Sequence, residues 1–108
     1  MPKIIPLAPQ PIQTETVTLG EQVCQINTRQ MTPEKLYVDL YVGNDLIVAG
    51  VIAQNQNRIV RYAYYGFIGD LVFVDTQGSE DPNFAGLGTR WLLFYLTAEE
   101  LIELGYVG

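Results

Sequence analysis

Asp75, Glu80 and Asp81 crowd one short stretch of the chain, and Gly86, Gly88, Thr89 and Arg90 follow close behind. Neighbouring carboxylates are the raw material of a cation site. A glycine-rich step ending in a cation is the raw material of a phosphate cradle. A calcium loop sets its oxygen ligands at alternating offsets and closes on an acidic residue. Here the offsets are five and one, and Gly78 and Pro82 stand where turn formers would. A phosphate loop carries a longer glycine pattern with a lysine and opens a helix whose N-terminus faces the anion. "GLGTR" runs instead into the apolar "WLLFYL". We therefore expect no metal and no cofactor. The stretch reads as a loop that delivers a strand, with Arg90 packed across it or paired with a carboxylate.

Nucleophilic catalysis has little to work with. Ser79 is the sole serine, and the chain has no histidine to activate it. Cys24 is the sole cysteine and falls in an alternating, strand-like stretch, so a buried, inert thiol is expected. Asp39 and Asp75 could serve as an acid–base pair, but nothing in their spacing brings them together. No catalytic residues are assigned and the chain is not expected to be an enzyme. Tyr62, Tyr64, Tyr65 and Phe67, with Arg58 and Arg61 nearby, have the ingredients of a stacking surface for sugars or bases. Tyrosine is also favoured at protein interfaces, and a place in the core or at a subunit contact is the use we expect for this patch.

Composition narrows the class further. The 108 residues suit one domain, and 48% hydrophobic with 17% charged residues describes a globular chain. Net charge is -6, with only six Lys and Arg, so specific binding to nucleic acid is not expected. A lone cysteine forms no intrachain disulfide and no Cys-based zinc site. The N-terminus "MPKIIPLAPQP" lacks the apolar core of a signal peptide, and the longest apolar runs are too short to span a membrane. These features suggest a soluble protein made in a reducing cytoplasm, with no membrane anchoring.

These residues must be held by mostly β structure. Pro6, Pro9 and Pro11 make residues 1–13 an extended arm, whose Ile4, Ile5 and Leu7 should lie on its own core or on a neighbouring subunit. "TETVTLGEQVCQIN" alternates about Gly20-Glu21 and predicts a hairpin. Leu36, Val38, Leu40 and Val42 share one face of the next strand, with Tyr37, Asp39 and Tyr41 on the other. Gly43-Asn44-Asp45 turns the chain into a strand over 46–52, where Gly50 predicts a bulge or a close backbone approach. "DLVFVD" and "TRWLLFYL" are further strands. Thr97 and Glu100 form a capping box, Leu96 and Leu101 a hydrophobic staple, and Gly105 ends the short helix. We expect an all-β fold, a small sandwich or barrel of six to eight mostly antiparallel strands with one short C-terminal helix. The arm (1–13) leads into a β domain (14–96), followed by the helix and tail (97–108).

Three stretches in this order resemble the cyanophage-type baseplate plug domain family of contractile-tail phages. They are "IIPLAPQPIQTETVTLGEQ", "LYVDLYVGNDLIVAGVIAQNQNRI" and "GDLVFVDTQGSEDPNFAGLGTRWLLFYLT". The resemblance runs from about Ile4 to Leu96, and its order and spacing carry it. It implies a structural part of the virion baseplate hub, in the plug or ring where tail tube meets spike. It implies tube, hub and spike proteins as partners, a homo-oligomeric ring of threefold or sixfold copy number, and no catalytic residues. Residues expected at protein contacts are Ile4, Ile5, Leu7, Tyr62, Tyr64, Tyr65, Phe67, Phe84 and Arg90. The alternative is a small β-rich module using the Tyr62–Phe67 patch to bind a carbohydrate or peptide.

Overall fold

Alternating apolar side chains give this chain two faces to bury, and it does so by stacking two antiparallel sheets. A computed structural model describes residues 3–19, 21–33, 35–60 and 69–105. The described strands are β1 (Lys3–Ile5), β2 (Ile12–Leu19), β3 (Gln22–Thr32), β4 (Lys35–Val42), β5 (Asp45–Ile52), β6 (Asp70–Asp75) and β7 (Trp91–Leu96). One helix, α1 (Ala98–Glu103), follows. The first sheet has the order β1-β7-β6 and the second the order β2-β3-β4-β5.

The two sheets enclose one core. Ile5, Leu71, Phe73, Leu93 and Tyr95 of the first sheet pack with Leu19, Cys24, Ile26, Leu36, Val38 and Leu40 of the second. The arrangement is a sandwich. Among the described residues the sheets stay open, so of the two expected architectures the chain adopts the sandwich and not the barrel. Closure requires edge strands to pair across the seam. Instead β6 ends its sheet under residues 55–60, through the Asn55–Phe73 and Arg58–Val72 bridges and bonds from Gln56 N–H to the Phe73 carbonyl and Ile59 N–H to the Leu71 carbonyl.

The hairpin of β2 and β3 closes with Leu19 opposite Gln22 and Glu21 at φ 67°. Along β4, Leu36, Val38 and Leu40 are fully buried, as their alternation predicts. The bulge expected at Gly50 is present. Val38 pairs with Val51 and Leu40 with Val48, so β5 spends one more residue than β4, and Gly50 takes φ 64°. A second irregularity lies between Leu40–Val48 and Tyr41–Leu46.

The segment read as an arm contributes β1, whose Ile4 lies opposite Phe94 of β7. Ile5 and Leu7 are buried in this chain's own core. At the other end, α1 lies against the outer face of the first sheet, with Leu101 packed on Val72 and Leu96. Thr97 accepts the Glu100 N–H and Glu100 accepts the Thr97 N–H, which completes the capping box. That bond from the Thr97 backbone also holds the Glu100 carboxyl below its ordinary range. Thr97→Ala is expected to cost about 1 kcal/mol, read from the urea midpoint, and to fray α1 without disturbing the β core.

Candidate protein-contact site

The long β6–β7 connection is organised by one arginine. Arg90 donates from Nε to Asp75 Oδ1 at 2.9 Å and from Nη2 to Asp75 Oδ2 at 2.8 Å. The same Nη2 donates to Glu80 Oε2 at 3.0 Å. Asp75 closes β6 and lies directly opposite Trp91, the first residue of β7. The fork therefore clamps the two strands where they diverge, and a bidentate charged pair fixes orientation as well as distance. Asp75 also accepts the Gln77 and Glu80 N–H groups, each at 2.9 Å. The loop's first turn winds around this one carboxylate.

Trp91 continues the clasp. Its indole N–H donates to the Glu80 carbonyl at 3.0 Å, and the Arg90 guanidinium carbon sits 4.5 Å from its ring centre. The far part of the loop is tied to the other sheet. Phe84 N–H donates to Gln30 Oε1, and Asn83 Nδ2 donates to the Pro33 carbonyl. Phe84 itself packs against the core as part of a 3-10 turn, Phe84–Gly86. The carboxylates that suggested a cation site are thus engaged with Arg90 and with backbone N–H groups. Among the described residues no group of three or more His, Cys, Asp or Glu side chains is placed to hold a metal ion.

The Arg90 guanidinium holds the Asp75 carboxyl well below the usual carboxylate range, against the opposing effect of desolvation. A lowered folded-state pKa stabilises the fold above the ordinary aspartate value and loses that contribution as pH falls. The gap in urea midpoint between the wild type and Asp75→Asn should hold steady above about pH 5 and narrow below about pH 4. A gap independent of pH down to about pH 2 would mean the clasp contributes nothing through its charge.

Two further aspartate–arginine pairs escaped sequence reasoning. Asp39 faces away from the core on β4 yet is only 7% exposed, because Arg29 pairs with it and the bulged Gly50 N–H donates to its Oδ1 at 2.7 Å. Asp70 is fully buried and takes Arg58 Nε at 2.9 Å. The signals present were an aspartate inside a β-rich run and a glycine at the bulge, but arginines ten or more residues away carry no local pattern. Asp39 and Asp75 each have their own arginine. Cys24 is buried among core residues, and burial pushes its thiol pKa up.

Of the residues expected at protein contacts, Ile4 is half exposed while Ile5 and Leu7 are buried within the chain. Phe84 is partly buried and Arg90 is engaged in the clasp. Tyr62, Tyr64, Tyr65 and Phe67 lie outside the described residues. Exposed apolar side chains that pattern reading did not single out are Ile12, Val23, Met31, Leu46, Ile102 and Leu104. Ile12, Val23 and Leu46 sit on the second sheet, as does Met31 near the end of β3.

The polar groups of this loop are spent largely on shaping it, which suits a part that fits against others. The family model described as cyanophage baseplate Pam3 plug gp18 matches residues 3–99. The chain belongs to this family. Comparison with curated proteins finds no significant match. A baseplate plug protein is a structural component of a phage baseplate, and membership implies contacts with other baseplate components and a place in the virion tail. In this plug protein the matched span includes all seven described strands and the start of α1. No helix among the described residues is long and apolar enough to cross a membrane.

Proposed function

We propose that this plug protein is a noncatalytic part of the baseplate hub of a contractile tail, working as a multi-copy ring or plug where the tail tube meets the spike. The observation that carries this is the family match over residues 3–99, nearly the whole chain. The structure supports it in kind. The β6–β7 loop is fixed by Asp75, Arg90 and Trp91 into a defined shape that presents Glu80 to solvent. A pre-shaped loop binds a neighbour at lower ordering cost than a loose one. Partners are the tube, hub and spike components and further copies of the chain.

Charge supports a position near passing DNA. Three of the six basic residues, Arg29, Arg58 and Arg90, are paired with aspartates inside the chain. Few cations are left to replace counterions on a phosphate backbone. A genome would then slide past without being held.

The test is electron microscopy of purified tails carrying a gold-labelled antibody to this protein. Label at the tube–spike junction is expected. Label along the tube, or none on intact tails, would overturn the assignment.

A further inference from the structure

A sheet edge is a row of unpaired N–H and C=O groups, and proteins guard such edges by shortness, cover or bulges. The described strands present four edges. β1 offers only three residues. β6 is overlaid by residues 55–60. β5 carries two register shifts, one at the left-handed Gly50. Among the described residues β2 has none of these protections. It runs eight residues in unbroken register with β3, from Ile12–Arg29 to Leu19–Gln22.

Which groups of β2 point outward follows from one bond. Gln30 N–H donates to the Pro11 carbonyl at 2.7 Å. Alternation then turns the main-chain groups of Gln13, Glu15 and Val17 toward β3, and those of Ile12, Thr14, Thr16 and Thr18 away from it. The Thr18 carbonyl confirms the direction, since it accepts from Lys3 Nζ at 3.2 Å. No main-chain hydrogen bond satisfies the outward groups of Ile12, Thr14 and Thr16 within the described chain. Along the inner face Gln13, Glu15 and Val17 are only half-buried, as expected of a strand whose neighbour is missing.

We propose that β2 receives an extended strand of another baseplate protein, about five residues long, across Ile12–Thr16. This rests on the baseplate assignment above. In a ring about the tail axis, neighbouring copies are related by rotation, so β2 of one copy would have to meet a different edge of the next. Those edges are short, covered or bulged. Pairing β2 with itself needs a twofold axis between adjacent copies, which a cyclic ring of three or six copies does not provide, and it joins two chains of charge -6. Glu15 is the only charged side chain on β2. The complementary strand therefore carries Lys or Arg opposite Glu15, with main-chain bonds supplying affinity and this pair supplying register.

Amide hydrogen exchange on the full chain, free and in purified tails, tests this. In free protein the Ile12, Thr14 and Thr16 amides should exchange fast while Gln13, Glu15 and Val17 are protected. In tails all six should be protected. Thr14→Pro removes an outward N–H that the fold does not use, a position where edge strands accept proline. It should leave the free protein folded and reduce incorporation into tails lacking the native protein by about tenfold or more. Equally fast exchange of the three amides in tails, or normal incorporation of Thr14→Pro, would overturn the proposal. Concentration-dependent protection of the free protein would also overturn it, by making a second copy the occupant. If the protein is missing from tails altogether, the baseplate assignment fails first and this proposal with it.

Discussion

Replacing Asp70 with alanine is expected to cost about 3–5 kcal/mol of folding stability, the range for breaking a buried charged pair. Asp70 Oδ2 takes Arg58 Nε, and its Oδ1 accepts the Val60 N–H at 2.8 Å and the Leu71 N–H at 2.7 Å. The side chain is fully buried, so the pair is shielded from salt. Removing it leaves a guanidinium and two backbone N–H groups without this acceptor. It also removes the side-chain ties between residues 58–60 and the start of β6, leaving the Ile59–Leu71 main-chain bond to hold the cover over that edge. Asp70→Asn should be less severe than alanine, because the amide oxygen can still accept from Val60 and Leu71 while its NH2 faces Arg58 with donor against donor. In a double-mutant cycle with Arg58→Ala, the combined loss should fall short of the sum by about 1–3 kcal/mol. Urea unfolding of the four proteins measures this. A loss below about 1 kcal/mol for Asp70→Ala would show that water or neighbouring groups replace the aspartate.

Period-two alternation made β3 and β4 legible because each buries one face along its middle, Cys24, Ile26 and Thr28 on β3 and Leu36, Val38 and Leu40 on β4. Leu36, Val38 and Leu40 could not slip register by one without exposing the whole row. The capping box at Thr97 and the bulge at Gly50 were legible for a similar reason: each depends on residue types within a few positions. Three things were not readable. That the N-terminal residues pair with β7 depends on a strand some ninety residues downstream, and prolines mark extended chain without naming its partner. That Asp39 is buried contradicts its place on the outer face, and only Arg29 and Gly50 resolve the contradiction. Sandwich and barrel share one alternation pattern. They differ in whether the edges meet, which is decided by the bulges of β5 and by residues 55–60 lying over β6. For the candidate site, the loop was foreseeable, and a carboxylate partner was one of two roles the residues allowed Arg90. That the partners are Asp75 and Glu80 together, with Trp91 bonded to the Glu80 backbone, needed the three-dimensional turn.

Gly88→Ala is expected to be about as damaging as Asp70→Ala, for reasons of backbone rather than charge. Gly88 adopts φ 83°, a conformation L side chains rarely take, and a methyl group there would overlap the Leu7 carbonyl oxygen. That oxygen is main chain and has no rotamer by which to retreat. Gly88 cannot retreat either, because its N–H donates to the Trp91 carbonyl at 3.0 Å. The strain of a left-handed alanine is about 1–3 kcal/mol. The structure can escape the overlap by moving residues 6–8 outward, which withdraws Leu7 from the core and adds the loss of a buried leucine, about 1.5–3 kcal/mol. We expect a total of roughly 3–5 kcal/mol, read by urea unfolding, and cleavage by trypsin after Lys3 at a rate well above wild type. An asparagine side chain tolerates φ > 0 better than alanine but meets the same carbonyl, so Gly88→Asn should release the arm as well. If Gly88→Ala lowered stability while the bond after Lys3 stayed protected, the strain would reside in the turn alone. If the arm came free, the Gly88–Leu7 contact would be what couples the β6–β7 loop to β1, and a partner pressing on that loop would act on the N-terminal strand through the same two residues.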